Sequence, residues 1–550
     1  MRPFRTAAIG LVVACAVTAL PVGALAEPGG GRVPVPNDRS SAADEVGPAL
    51  AALEAVDDAF RGGPASARRT ADSAHPDRRL TLLLRDLRLG LEELDGEERD
   101  RAESYLARPD GDRAFPDEPL YDEGVVTRDD CTVAPTPGSH VCVHWVTSTR
   151  DAPRLDDGDG DGVPDQVETT RDVLNSVWRR IVDAGGYRPP LADTTSDNSG
   201  PDGKLDVYLA DLGASSLYGY CATDDPAAGS NATVSAFCAL DDDFSAVQFG
   251  GDPLENLQVT AAHEFFHAVQ YAYDWLEDGW LLEGTAAWVE DELYDEVDDN
   301  LQYLPRSPLT DPYVAMDDAG SGRNLYGSWI FWRYLAERFP AQGGTGMPLV
   351  IRDVVDRLGG PGPTDMGAYS TRAMVGALSA RHVSFRQLFS AFGATNRRPA
   401  AFYEEGAAYP AAPLALTMSL RNGRAKAVGF RADHLSNDTF RVVPGRALTG
   451  RRWKLRVRVE MPKRSLGYAA TVTTLRKGGG VGTKQVRLAA NGDGRLTTSF
   501  GRKRVKAVEV TLTNASVRYA CWSGVDSPYA CHGIPKDDGR PVKARVRAFR

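Results

Sequence analysis

Beyond its first 26 residues the 550-residue sequence contains no apolar run of 18 or more, so no membrane-spanning helix is expected. Basic residues are outnumbered, 63 against 75 acidic ones, and the net charge of -12 lacks the overall basic footprint that nucleic acid requires. No nucleic-acid partner is expected. At 42% hydrophobic residues the chain can bury the cores of two or three soluble domains. Cysteine is sparse at seven, and one of these, Cys15, lies in a leader-like stretch: Arg2 and Arg5, an apolar run from Ala7 to Leu20, then Ala24-Leu25-Ala26. That order reads as a signal peptide over 1–26, hence export and a secreted, extracellular protein. An even set remains: Cys131, Cys142, Cys221, Cys238, Cys521 and Cys531. Local pairing costs least loop-closure entropy, so the expected disulfides are Cys131 with Cys142, Cys221 with Cys238 and Cys521 with Cys531.

Charge is unevenly spread. From Arg421 to Arg550 there are 29 Lys and Arg against 8 Asp and Glu, which leaves the rest of the chain strongly acidic. Opposite fields of this size point to separate regions. Residues 27–120 carry Leu at three- and four-residue spacing up to Pro109, the pattern of a helical N-terminal region, either a prosegment or a packed layer. Residues 121–411 mix short β-patterned runs with a helix-rich second half, including a helix from about Glu168 to Ala184 and another starting at Asp252-Pro253-Leu254-Glu255. Residues 412–550 alternate apolar and polar positions in "WKLRVRVEM", "YAATVTTLR", "KQVRLAA", "RLTTSF" and "VKAVEVTLTN", as a basic β-sandwich does. The fold class expected is α+β and multidomain. The basic region could bind an anionic cell-wall polymer or face the acidic part of the chain.

Histidine is also scarce, eight in all, yet His263 and His267 share a five-residue H-E-x-x-H frame with Glu264. The chance odds of that frame in a chain of this size are on the order of 1%. On a helix the two imidazoles lie one turn apart on one face, so both can reach one zinc ion, and Glu264 lies beside them to take a proton from water. Gln270 and Tyr273 stand where a metzincin would carry Gly and His or Asp. The third ligand must come from elsewhere, and "WLLEGTAAWVEDEL" offers Glu283, with Glu290 seven residues on and placed to orient a histidine.

Here the sequence resembles the gluzincin metallopeptidases, whose second zinc helix carries a W-x-x-E-G motif, matched by Trp280 to Gly284. The 15 residues between His267 and Glu283 make a shorter connection than in the thermolysin and aminopeptidase branches. More closely, "DGDGDGVPDQVE", "LDVYL", "HEFFHAVQYAYD", "WLLEGTAAWVED", "LYGSWIFWRYL" and "DHLSN", in that order, are similar to the MXAN-type family of secreted bacterial metalloproteases. The resemblance spans roughly Leu80 to Asn514 and implies a zincin-like catalytic domain with an H-E-x-x-H helix and zinc dependence. It also suggests Tyr326, in "NLYGSW", as an oxyanion stabiliser like the tyrosine several gluzincins bring to zinc, with His382 in reserve.

A second metal is written in "DDGDGDGVPDQVE". Asp157, Asp159, Asp161, Gly162, the Val163 carbonyl, Asp165 and Glu168 occupy positions 1, 3, 5, 6, 7, 9 and 12 of an EF-hand-type calcium loop. Asp197, Asp202 and Asp206 suggest a further oxygen-rich site. The function expected is a zinc metalloendopeptidase acting on protein or peptide substrates and stabilised by calcium. Two alternatives stand beside it: a catalytically silent, calcium-dependent surface-binding protein, and a zinc hydrolase of a non-peptide amide.

Overall fold

The computed structural model describes residues 47–61, 79–110, 118–194, 203–229, 231–319, 325–342, 346–358, 368–522 and 527–550. The leader at 1–26, Asp197 and Asp202 lie outside them. A five-stranded sheet in the order β1-β2-β3-β5-β4 organises the first half, with β1 (Thr127–Asp129), β2 (Val141–Val146), β3 (Leu205–Ala210), β4 (Gly219–Ala222) and β5 (Phe237–Asp241). The three central strands are parallel; β1 and β4 run antiparallel at the two edges. Every residue of β2 to β5 is buried, as expected of a sheet covered on both faces.

Alternation along the strands separates two cores. Val207, Leu209, Cys221, Cys238 and Leu240 face helices that include the H-E-x-x-H segment. Tyr208, Ala210, Tyr220, Ala222, Phe237 and Ala239 face the N-terminal helices α1 (Pro48–Phe60), α2 (Leu80–Gly90) and α3 (Gly96–Leu106). The described N-terminal helices cover this face of the sheet and bury Tyr208, Tyr220 and Phe237. Arg108, just past α3, reinforces the junction. Its guanidinium is buried and lies 2.5 Å from Asp206, 2.7 Å from Asp224 and 2.9 Å from Asp193. Asp206 also meets His144 Nε2 at 2.8 Å. This corrects the expectation of an oxygen-rich site at Asp206, because its carboxylate is already neutralised by a buried cation.

The helix expected from Glu168 begins three residues earlier. α4 covers Asp165–Trp178 and passes into a π-helical turn, Arg179–Ala184. Pro164 fixes the backbone just before it, and Asp165 and Glu168 place negative charge in its first turn. The helices that follow are α5 (Pro253–Asp274), α6 (Gly279–Leu293), α7 (Trp329–Arg338), α8 (Leu349–Val355), α9 (Thr371–Ala380) and α10 (Phe385–Thr395).

The C-terminal region is all β. A sheet of order β11-β10-β13-β8-β6 faces one of order β12-β9-β16-β7. The strands involved are β6 (Leu416–Leu420), β7 (Ala425–Ala432), β8 (Ser436–Pro444), β9 (Lys454–Glu460), β10 (Tyr468–Arg476), β11 (Val481–Gln485), β12 (Gly494–Ser499), β13 (Val505–Asn514) and β16 (Arg540–Phe549). Two-residue strands β14 (Tyr519–Ala520) and β15 (Ile534–Pro535) pair between them in sequence. Phe440, Val457, Tyr468, Val510 and Val546 belong to a core shared by the two large sheets. "KQVRLAA" is only partly a strand: pairing stops at Gln485, and Leu488 bridges to Gly494 in the other sheet, so the chain is crossing between layers there.

Buried polar contacts join this region to the helices. Ser390 Oγ lies 2.8 Å from Thr471 Oγ1, and Asp278 accepts from the Cys531 backbone N–H at 2.9 Å. His434 sits between Asp317 (Nε2 to Oδ1, 2.8 Å) and Asp538 (Nδ1 to Oδ1, 2.5 Å). The three disulfides are those expected, Cys131–Cys142, Cys221–Cys238 and Cys521–Cys531. Among the described residues no helix is long and apolar enough to cross a membrane.

Candidate metal centre

α5 starts where its sequence dictates. Asp252 caps it by accepting from the N–H groups of Leu254 and Glu255, and Pro253 fills the first position, where no N–H is needed. From Leu257 onward nearly the whole helix is buried, so it forms the centre of the domain. His263 and His267 lie one turn apart, edge to face, with ring centroids 4.8 Å from each other. α6 crosses α5 and delivers Glu283 and Glu290 from one face. Gly284 makes the next contact possible: a Cβ there would lie 2.1 Å from Ser328 Oγ and 3.0 Å from Trp332 Nε1, so any side chain would drive α7 away. Trp280 of the same motif stacks on Trp332 at 5.7 Å.

The structure brings His263, His267 and Glu283 together, each with a ligand atom within 4.8 Å of the others and none exposed. Glu283 Oε2 is 3.2 Å from His263 Nε2 and 3.6 Å from His267 Nε2. Ligands at zinc–nitrogen and zinc–oxygen bond lengths in a tetrahedron are separated by about 3.3 Å, close to these two spacings. Two buried atoms, His267 Nε2 and Glu283 Oε1, have no hydrogen-bond partner. Both are ligand-type atoms that a metal ion in this cluster would satisfy.

The other ring nitrogens are pinned. His263 Nδ1 lies 2.5 Å from Glu290 Oε1, the orienting contact expected for Glu290. His267 Nδ1 lies 2.7 Å from Gln270 Oε1, and Gln270 Nε2 donates to the Leu282 carbonyl and Thr285 Oγ1. Gln270 was visible in sequence only as the residue that breaks the metzincin frame. Its position three residues after His267, on the same helical face, is the signal that could have found it. Both imidazoles thus point Nε2 at Glu283. Without a metal, burial opposes charge on His263, but its hydrogen bonds to Glu283 and Glu290 and their field win, lifting its pKa to about 10. Burial likewise opposes ionisation of Glu283, yet the two histidines overcome it and pull its pKa to about 2.

Glu264 is buried beside this group. Burial raises its pKa most, the two histidines counter it, and Glu283 adds to the rise. A protonatable carboxylate of this kind suits a general base. Its Oε2 accepts from Thr81 Oγ1 at 3.2 Å, and the same hydroxyl accepts from the Cys221 N–H of edge strand β4. Thr81, at the start of α2, had no sequence signal. Gly219 opens β4 at the point where a Cβ would stand 3.1 Å from Glu264 Cγ. Tyr326 opens the 3-10 turn before α7, with its ring centroid 6.1 Å from that of His263 and stacked on Tyr303 at 5.0 Å. His382 is exposed in the turn after α9, at φ 58°, with no described contact to this group.

In the acidic loop Asp157, Asp159 and Asp161 converge within 4.8 Å, all exposed. Gly160 and Gly162, both at positive φ, donate to Asp157, and these N–H groups hold its pKa below the ordinary value. Asp165 accepts from the Gly158 N–H. Glu168 does not join them. It pairs with Arg171 at 3.1 Å, so the twelfth position of the expected loop faces its own helix.

No family model and no curated protein matches the sequence. Among solved structures, a family GH115 4-O-methyl-alpha-glucuronidase with specificity for decorated arabinogalactans aligns at 7% identity and a TM-score of 0.14. The alignment covers 57% of this chain and 46% of that one. A likeness that slight carries no argument about fold or activity.

Proposed function

We propose that the chain is a secreted zinc-dependent metalloendopeptidase. The observation that supports this reading is the convergence of His263 Nε2, His267 Nε2 and Glu283 Oε2 in a buried cluster. Three protein donors with an open position make a catalytic rather than a structural zinc site. Bound there, zinc supplies a Lewis acid that makes water nucleophilic near neutral pH. Glu264 accepts the proton and later returns it to the leaving amine, and Glu290 and Gln270 hold the imidazoles in the tautomer that keeps Nε2 free. Tyr326, whose ring centroid lies 6.1 Å from that of His263, would steady the developing oxyanion. Calcium would be held by Asp157, Asp159, Asp161, the Val163 carbonyl and Asp165, with Glu168 joining only after leaving Arg171.

Glu264→Gln tests the reading: it should keep the fold and zinc but lose casein hydrolysis, and turnover equal to the wild type would refute the role. Comparing casein with peptidoglycan fragments separates a peptidase from a hydrolase of another amide.

One observation favours the surface-binding alternative for the C-terminal region. A cavity of about 430 Å³ at the open side of the sandwich is lined by Lys454, Arg476, Lys484, Thr474, Thr498 and Ser499, with no carboxylate in its lining. Such a site suits an anionic polymer. Retention of the full chain on anionic wall polymer, weakened by salt and by Lys454→Glu with Lys484→Glu, would support it.

A further inference from the structure

The two large sheets of the C-terminal region present different outer faces. On the β11-β10-β13-β8-β6 sheet, outward-facing Thr471 and Glu509 are buried where α10 and the residues after it dock: Thr471 meets Ser390, and Glu509 pairs with Arg398 at 2.6 Å. On the β12-β9-β16-β7 sheet the outward positions are exposed or half-buried, and along β9 and β16 they alternate with buried apolar residues mostly as cations.

Strand register puts those cations against one another. Arg458 lies directly opposite Arg495 on one side and Arg545 on the other, and Arg456 lies directly opposite Arg547. Directly opposed residues share a face, and like charges there repel. With neighbouring strands about 5 Å apart and successive rows about 7 Å apart, five guanidinium-bearing side chains rise from one small patch. Lys543 extends it along β16, and Glu460, opposite Lys543, is the only acidic residue in the four strands. On β7 the facing positions are small: Ala425 opposes Arg547, Ala427 opposes Arg545 and Gly429 opposes Lys543. They floor a depression of about 510 Å³ beside Lys543 and Arg545. A ladder of one sign at directly paired positions costs stability, and an anion laid across it removes that cost.

We propose that this face binds a linear phosphodiester-linked polymer of polyol or sugar units. Guanidinium forks match phosphate oxygens in pairs. A polymer with phosphate in its own backbone brings charge to successive forks without needing a pocket for each sugar ring, which suits an open sheet face. The rest of the face disfavours other polyanions. Phe549, with Arg456 over its ring at 4.4 Å, is the only outward-facing aromatic residue of the four strands, so no platform exists for a row of stacked bases. None of the large exposed apolar side chains among the described residues lies on these strands to enter a bilayer. The proposal shares its class of partner with the surface-binding reading but not its site, which there is the 430 Å³ cavity.

Binding of the full chain to poly(glycerol phosphate) is measured by calorimetry at low salt, beside polygalacturonate and a single-stranded DNA of equal charge. The wild type should bind the phosphodiester polymer most tightly, with an affinity that falls as salt rises. Arg458→Thr with Arg545→Thr should weaken it about tenfold or more, whereas Lys477→Thr with Lys503→Thr, which removes the same charge from exposed turns of the same region, should change it less than about twofold. Because the first pair relieves like-charge repulsion, its Tm should be no lower than that of the wild type. A wild type that does not bind, an equal loss in both double variants, tighter binding to DNA or polygalacturonate, a lower Tm in the Arg458 and Arg545 variant, or self-association of the wild type that this variant abolishes would each overturn the proposal. Binding lost only with Lys454→Glu and Lys484→Glu would refute it while leaving the cavity reading in place.

Discussion

Zinc binding should be tightly coupled to proton release, and the size of the coupling follows from His263. In the metal-free site this imidazole lies between Glu283 Oε2 at 3.2 Å and Glu290 Oε1 at 2.5 Å, and its pKa rises to about 10. Zinc requires the neutral ring, so at pH 7 the ion must displace a proton held three pH units above ambient. That displacement costs about 4 kcal/mol at roughly 1.4 kcal/mol per unit. Glu283, pulled to about 2, stays ionised at neutral pH and adds no slope. The apparent zinc affinity should therefore rise by about tenfold per pH unit between pH 6 and 9. Competition against a chromophoric chelator measures this, and calorimetry in two buffers of different ionisation enthalpy counts the protons. Glu290→Gln keeps a hydrogen-bonding group at Nδ1 but removes the charge, so its slope should flatten while affinity at pH 9 falls about 10- to 100-fold. A zinc affinity constant from pH 6 to 9, with no proton released, would refute the reasoning.

Other consequences concern the fold. Arg108→Ala leaves Asp206 and Asp193 buried without their cation, and chemical denaturation should show a loss of about 3 to 5 kcal/mol. His434→Ala should cost a similar amount by orphaning buried Asp317, visible as a lower Tm. The His434 pKa is raised from 6.5 to about 10: burial opposes the charge, but Asp317 and then Asp538 outweigh it. The sign follows: this stabilisation is complete below pH 6.5, declines as pH rises toward 10 and is lost above it. Denaturation curves from pH 6 to 10 should show that decline in the wild type and much less of it in His434→Ala.

The residues legible in the sequence were those whose chemistry depends on spacing along one element. His263 and His267 had to share a helical face, Glu283 and Glu290 likewise, and the cysteines paired with near neighbours because short loops close cheaply. The two patterned halves of the C-terminal region were visible for the same reason, since alternation is a local signal. What escaped depended on contacts between distant segments. Thr81 reaches Glu264 across 183 positions, and Arg108 meets Asp206 across 98, with nothing in the sequence to announce either. Asp206 looked like a ligand because a short acidic, Gly-rich segment looks the same whether it holds a metal or an arginine. Glu168 matched a calcium-loop template by position, but Arg171, one helical turn further on, competes for it.

The central claim is that two imidazoles and one carboxylate from crossing helices hold a single zinc ion. Its most direct test is the zinc content of the purified full chain, dialysed at pH 8 with limiting free zinc, beside His267→Ala, Glu283→Ala and Glu264→Gln. The account predicts about one zinc per chain in the wild type and in Glu264→Gln, with little retained by the other two variants. A wild type that binds no zinc, or a Glu283→Ala chain that holds it as tightly as the wild type, would contradict it.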